Sequence, residues 1–284
     1  AVSCCATVAA RWQPDMSERV LCSVEDRVAI VTLNRADKHN AVDMPMFEAL
    51  GRAGEQIAAD SSVRAVVLHG AGNNFCAGID VSVFAGNAAT DIAASMAPVE
   101  PSSANLFQRA AYVWRELPVP VICAVTGIAY GAGLQVALGA DLRYAQSNSR
   151  VSIMEIKWGL IPDMAITTTL ARLMGADKLK ELTWTGRIFD GEEALQLGVV
   201  TALHDDPFAA ARATAAEIAQ KSPDAIRAAK RLFDEARDLP ATDALRLEAT
   251  LQLALLGRPN QIEAVRANLD DRVPDFADPA SEAG

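Results

Sequence analysis

Two short loops of small residues carry the features from which chemistry could be built. One is Cys76-Ala77-Gly78-Ile79-Asp80 and the other is Gly131-Ala132-Gly133-Leu134-Gln135, each standing directly after a buried, strand-like run. Glycine lets the backbone take positive φ and approach a ligand closely. The second loop leads into a helix-patterned segment, and the first N–H groups of a helix are unpaired and carry a partial positive charge. Facing one another, two such loops would supply paired donors to a developing oxyanion. The plainer alternative is that both are structural turns. The second loop has the spacing of neither a phosphate-binding P-loop nor a dinucleotide-binding fingerprint.

Other reactive residues form no constellation of their own. His39, His69 and His204 have no G-x-S-x-G elbow to serve as base for a serine. Cys4, Cys5, Cys22, Cys76 and Cys123 are odd in number, scattered and without a C-x-x-C pair, which reads as reduced thiols. With three histidines so far apart, a His/Cys zinc site has no support, and no metal is expected. Cys76 is better explained by small apolar packing than by nucleophilic catalysis. Trp114, Trp158 and Trp184 are expected to line either the core or an apolar pocket.

The elements that must position the loops follow from periodicity. Residues 19–26 and 27–35 alternate, are β-branched and join at Glu25–Asp26, which predicts a hairpin. Asp43–Ala59 has a helical period, with Asp43 as N-cap and Pro45 in the first turn. "VRAVVLHG" and "PVPVICAVTG" are continuous apolar strands, a helix lies near Ser103–Glu116, and residues 81–101 have weak patterning. "LRYAQ" and "VSIMEI" read as strands, and Met164–Met174 reads as a helix. From Phe208 to Asp271 strand signals cease and three or four amphipathic helices remain.

Alternating strands and helices indicate an α/β layer fold. Three regions are expected: residues 1–19 as a loosely ordered extension with Met16 as a natural start, a βα core over 20–205, and a helical region over 206–284. Hydrophobic residues at 51% and charged ones at 22% fit a globular chain. The net charge of −10 argues against a broad nucleic-acid or anionic-membrane surface, while leaving room for a local anion site. No uninterrupted apolar run reaches membrane-spanning length, so no membrane association is expected.

Several segments together resemble the crotonase (enoyl-CoA hydratase/isomerase) superfamily in order and spacing. They are "LNRADKHNAV" (33–42), "NFCAGIDV" (74–81), "PVICAVTGIAYGAGLQVALGADLRYA" (120–145), "MEIKWGLIPDMAITTTLARLMG" (154–175), "TGRIFDGEEALQLGVV" (185–200), "SPDAIRAAKRL" and "RPNQIEAVRANLDDRVPDF". The resemblance spans roughly residues 20–276. It implies a crotonase-like spiral of ββα units with a C-terminal helical appendage, assembling as a homotrimer or hexamer through that appendage. It also implies a cytoplasmic enzyme acting on an acyl-CoA thioester, with coenzyme A entering as part of the substrate and no further cofactor.

Carried over by position, the oxyanion donors are the backbone N–H groups of Ile79 and Ala132; relatives usually have glycine at the latter. Lys38, Ala77, Gly78, Asp80 and Gly131 would lie along the substrate and its CoA, and Lys230 near the CoA phosphates, unless Lys230 is simply a solvated helix lysine. Hydratases of the family use two glutamates, at positions that here hold Gln135 and Glu155. Glutamine can orient a water but cannot titrate, so it cannot be a general acid or base. Glu155 remains as the proton carrier beside the acyl group, unless it is a surface glutamate at a strand end. Asp163 stands where dienoyl-CoA isomerases of the family carry an aspartate; alternatively it caps the helix expected at Met164. Enoyl- or dienoyl-CoA double-bond isomerisation is therefore the preferred reaction. Hydration of a 2-enoyl-CoA is the alternative within the family, and a non-catalytic acyl-CoA-binding protein the alternative outside it.

Overall fold

The chain is described by a computed structural model over residues 19–84, 92–100 and 102–279. The expected N-terminal extension lies outside the described residues apart from Arg19, as do 85–91 and 101 of the weakly patterned stretch. The first hairpin pairs β1 (Val20–Glu25) with β2 (Val28–Leu33) in antiparallel register. Its turn residues are Asp26 and Arg27, both at positive φ, one position later than the alternation suggested. After α1 (Met44–Ala59) and β3 (Ala65–Gly70) come α2 (Leu106–Glu116), β4 (Val121–Val125) and β5 (Ile128–Tyr130). The chain continues through α3 (Ala132–Leu138), β6 (Leu142–Ala145), β7 (Arg150–Ser152), α4 (Ala176–Thr185), β8 (Phe189–Asp190), α5 (Gly191–Gln196) and β9 (Ala202–Leu203). Four helices close it: α6 (Pro207–Ala219), α7 (Pro223–Ala236), α8 (Ala241–Leu255) and α9 (Pro259–Leu269).

The main sheet has the order β1-β2-β3-β4-β6-β9 and is parallel from β2 onward. A smaller sheet, β5-β7-β8, stands beside it. Strands buried on both faces need apolar residues at consecutive positions, which is why "AVVL" and "VICAV" do not alternate. One face of the main sheet, with Val31, Leu68 and Cys123, packs against α1, α2 and α3. The other, with Ile30, Val67 and Ile122, packs on an alanine stripe of α6, Ala211, Ala215 and Ala219. The caps follow the sequence: Asp43 accepts from the Met46 N–H, and Asn105 with Gln108 forms a capping box on α2.

The helix expected over Met164–Met174 is not there. The chain turns instead, with only a short 3-10 segment at Leu170–Arg172 and Ala165 at φ 64°. The cause lies in the run Thr167-Thr168-Thr169. The hydroxyls of Thr168 and Thr169 both donate to the Ala165 carbonyl, at 2.9 and 3.0 Å, offering the backbone an alternative to helical pairing. Without a helix beginning at Met164, Asp163 has nothing to cap. Among the tryptophans, Trp114 is fully buried, with its indole N–H donating to the Ala110 carbonyl. Trp158 and Trp184 are instead largely exposed on this chain, so neither belongs to its core.

Candidate functional site

The two small-residue loops are brought together by the edges of the smaller sheet. The Cys76 N–H donates to the Ile128 carbonyl and the Tyr130 N–H to the Cys76 carbonyl, both at 3.0 Å, zipping the first loop onto β5 just before the second. On its other side the first loop is held by Val42. The Val42 N–H donates to the Gly78 carbonyl, and the Asp80 N–H donates to the Val42 carbonyl, each at 2.8 Å. Val42 thus bonds the residues flanking Ile79 and leaves the Ile79 N–H out of the ladder. Ala132, the first residue of α3, is likewise left out of helical pairing. Neither N–H has a backbone acceptor among the described residues.

Gly78 makes this meeting sterically feasible. It sits at φ 96°, and a Cβ there would lie 2.8 Å from the Tyr130 carbonyl oxygen and 3.9 Å from the Ala132 nitrogen. Gly131, at φ 49°, is the N-cap of α3, and its N–H donates to the Ser152 carbonyl. A Cβ on Gly131 would stand 3.1 Å from Glu155 Oε1, so the Glu155 carboxyl lies against the entry to α3. Cys76 is wholly buried, its Sγ donating to the Asn40 carbonyl, and burial pushes its thiol up to about 12. Such a thiol is inert as a nucleophile, in keeping with a packing role.

Glu155 opens a 3-10 turn, Glu155–Trp158. Gln135, one turn into α3, donates from Nε2 to Glu155 Oε1 at 2.6 Å and accepts from the Met164 N–H at 2.8 Å. A backbone N–H can only donate, so it fixes which way the amide faces and aims the NH₂ at the carboxylate. Glu155 Oε2 is buried and has no hydrogen-bond partner among the described residues. Burial raises the Glu155 pKa above the usual carboxylate range. Hydrogen bonds from its own backbone N–H and from Gln135 oppose the rise, and the charge of Asp163 adds to it. Asp163 is itself raised, by burial, with its own backbone N–H opposing. The arrangement is one buried carboxyl with an oxygen unpartnered among the described residues, a non-titrating amide, and two N–H groups without backbone acceptors there.

The remaining sequence candidates are placed unequally. Lys38 is exposed at the end of a short 3-10 turn, and the carbonyl of its neighbour His39 accepts from the Ala77 N–H at 2.9 Å, so it borders the first loop. Asp80 is already engaged: Arg35 donates to it at 2.6 Å, and the Ser82 N–H and this guanidinium hold its carboxyl down at about 2. Lys230 is not a solvated lysine. Its side chain is 8% exposed, and its ammonium pairs with Asp141 at 2.7 Å and donates to the Val119 carbonyl. Sequence reasoning passed over Arg35, which ties Asp80 to the Ala41 carbonyl and stands 3.7 Å from Asp43. Its partners lie at long and short range without a spacing rule, so no local signal marks it.

The comparisons with known proteins decide the family. The model for "Enoyl-CoA hydratase/isomerase" matches residues 23–279. The chain belongs to the enoyl-CoA hydratase/isomerase family. Among relatives, it is 32% identical over 257 residues to the mitochondrial Delta(3,5)-Delta(2,4)-dienoyl-CoA isomerase of Mus musculus, covering 88% of this chain and 79% of that protein. It is 30% identical to a probable enoyl-CoA hydratase of Mycobacterium bovis, covering 91% of this chain and 98% of that one. The crystal structure of an enoyl-CoA hydratase from Bacillus anthracis superposes with a TM-score of 0.83 at 27% identity, covering 91% and 98% of the two chains. The fold is therefore that of the crotonases, with an additional C-terminal helical region, and the chain is a crotonase-type enzyme. Relatives named for both reactions match comparably well, so similarity alone does not choose between them.

Proposed function

We propose that this family member moves a double bond in an enoyl-CoA or dienoyl-CoA, with Glu155 as the principal proton carrier. The observation that carries the reading is the Gln135–Glu155 contact, in which a non-titrating amide holds one carboxylate oxygen and leaves Oε2 alone. In the proposed step the thioester oxygen lies between the N–H groups of Ile79 and Ala132. Oε2 takes a proton from the acyl chain, the C–H electron pair passes into the chain, and negative charge collects on the thioester oxygen. The same carboxyl then returns a proton at another carbon, so the double bond shifts and no atom is gained or lost. Donors aimed at developing charge are worth about 3–4 kcal/mol each in comparable sites.

For a longer shift, Asp163 is the second proton carrier, since its pKa is also raised and no helix needs it as a cap. Addition of water would require a second group able to titrate at the position of Gln135, which disfavours two-carboxylate hydration. In this reading Lys38 and Ala77–Asp80 line the CoA portion of the substrate. Lys230 would reach CoA phosphates only by leaving Asp141. No metal or redox cofactor is required, because CoA arrives with the substrate, and the enzyme works in the cytoplasm as a trimer or pair of trimers. The experiment is NMR observation of α- and γ-proton exchange with 2-enoyl-, 3-enoyl- and 3,5-dienoyl-CoA. Exchange and migration on the 3-enoyl or dienoyl substrates are expected. Fast hydration of the 2-enoyl substrate with the others untouched would overturn the isomerase reading and leave the family intact.

A further inference from the structure

A second concentration of charge lies behind the proposed acid/base pair. A cavity of about 130 Å³ is lined by Arg115, Arg143, Arg172 and Arg237 together with Asp141 and Asp234. Each acidic group here already has its own cation. Asp234 pairs with Arg115 at 3.0 Å, Asp141 with Lys230 at 2.7 Å, and Arg172 with Asp238, just outside the lining. Asp141 also accepts from the Val121 N–H. Two guanidinium groups remain without a carboxylate within ion-pair distance among the described residues. Arg143 is 6% exposed and donates only to the neutral carbonyls of Val199 and Ala140; Arg237, at the rim, donates to the Arg172 carbonyl. Five cations thus face three carboxylates, in a chain whose net charge is −10. Arg143 meets only neutral carbonyls directly, with Asp141 acting on it from beyond ion-pair distance, and an anion would relieve the remaining cost of its burial.

We propose that this cavity binds a small oxyanion, a carboxylate or phosphate group, between Arg143 and Arg237. Planar guanidinium forks match such groups in two-point hydrogen bonding. The volume is comparable to that of cavities known to admit a benzene-sized ligand. Its position admits two sources for the anion. Leu138 lines the cavity and lies three residues after Gln135 on α3, about 4.5 Å along the helix axis. Thr169 lines it too, five residues after the Met164 whose N–H holds Gln135. One wall of the cavity, at Leu138, is therefore about one helical turn along from Gln135. An acyl chain ending in a carboxylate could deliver the anion from the active-site side, or a free oxyanion could enter from solvent. The acyl source rests on the proposed acyl-CoA site; the free-anion source does not.

The test measures binding, so it is separable from turnover. The full-length protein is titrated with sodium phosphate at ionic strength matched by sodium chloride, and thermal unfolding is followed. It is also titrated calorimetrically with two saturated acyl-CoA thioesters of equal length, one ending in methyl and one in carboxylate. Arg237→Gln, at the exposed rim, should fold normally, whereas Arg143→Gln removes a buried group and is used only if circular dichroism shows it folded. A free-anion site predicts a phosphate-specific rise in the wild-type unfolding midpoint of about 2 °C at ten times Kd. An acyl-carboxylate site predicts that the carboxyl-ended thioester binds about tenfold or more tightly than its methyl-ended partner. In either case the effect should be lost in Arg237→Gln. Absence of both effects in the wild type, or their survival in Arg237→Gln, would overturn the proposal.

Discussion

Replacing Gln135 with glutamate tests the proposed arrangement at its narrowest point. The side chain keeps its shape, and one carboxylate oxygen can still accept from the Met164 N–H. The other then meets Glu155 Oε1 where an amide NH₂ now stands at 2.6 Å. Two carboxylates in such contact, with charge centres roughly 4 Å apart, repel by about 4 kcal/mol at an effective dielectric constant near 20. That corresponds to about three pK units, so the pair should hold one proton across neutral pH, as paired carboxylates do. The acidic limb of the kcat/KM profile for isomerisation should move to higher pH by about three units, and activity at neutral pH should fall. A shared proton also supplies what hydration lacks, one group to activate water and another to protonate carbon, so hydration of 2-enoyl-CoA should rise. Gln135→Met serves as a control, because it removes the bond to Glu155 without adding charge. The assay is a pH series of both reactions on the two variants. An acidic limb unmoved in Gln135→Glu would show that Gln135 and Glu155 do not touch in the working enzyme, and the single-carboxylate argument would fail with it.

Glu155→Gln should lower isomerisation by about 10²–10⁴-fold while acyl-CoA binding persists, read by kinetics and calorimetry. Because burial raises the Glu155 pKa in the folded chain, ionisation costs stability as pH rises from the ordinary carboxylate value through the folded one. The unfolding midpoint of Glu155→Gln should therefore gain on wild type across that window and show no pH-dependent gain below it. Asp163→Ala should slow 3,5-dienoyl turnover without the stability loss of about 1 kcal/mol that removing a helix cap causes; a selective stability loss would restore the cap role. Gly78→Val forces a side chain into positive φ against the Tyr130 carbonyl and should cost on the order of 10²-fold in activity, well beyond its effect on unfolding. Leu245, Leu253 and Leu269 are 64%, 70% and 81% exposed on this chain, so light scattering at micromolar concentration should find an oligomer, and a monomer would contradict that.

The sequence was most legible where one local rule dominates. The β1–β2 hairpin, the Asp43 cap and the consecutive apolar residues of β3 and β4 each follow from a single periodicity or capping preference. The positive φ of Gly78 and Gly131 was also legible, because such backbone and close approach leave few other residues available. What could not be read was set by competition or by contacts across the fold. The Met164–Met174 segment has a helical apolar period, but Thr168 and Thr169 turn their hydroxyls back onto the Ala165 carbonyl and win. That loss has a functional side. A helix begun at Met164 would have used Asp163 as its cap and held its carboxylate against backbone N–H groups, favouring the charged form. The turn instead leaves Asp163 half-buried, with a raised pKa, and frees the Met164 N–H to fix the Gln135 amide. Gln135 read alone was a group able to orient a water but not to titrate; with its two partners in place, it holds Glu155 Oε1 and leaves Oε2 without a partner among the described residues.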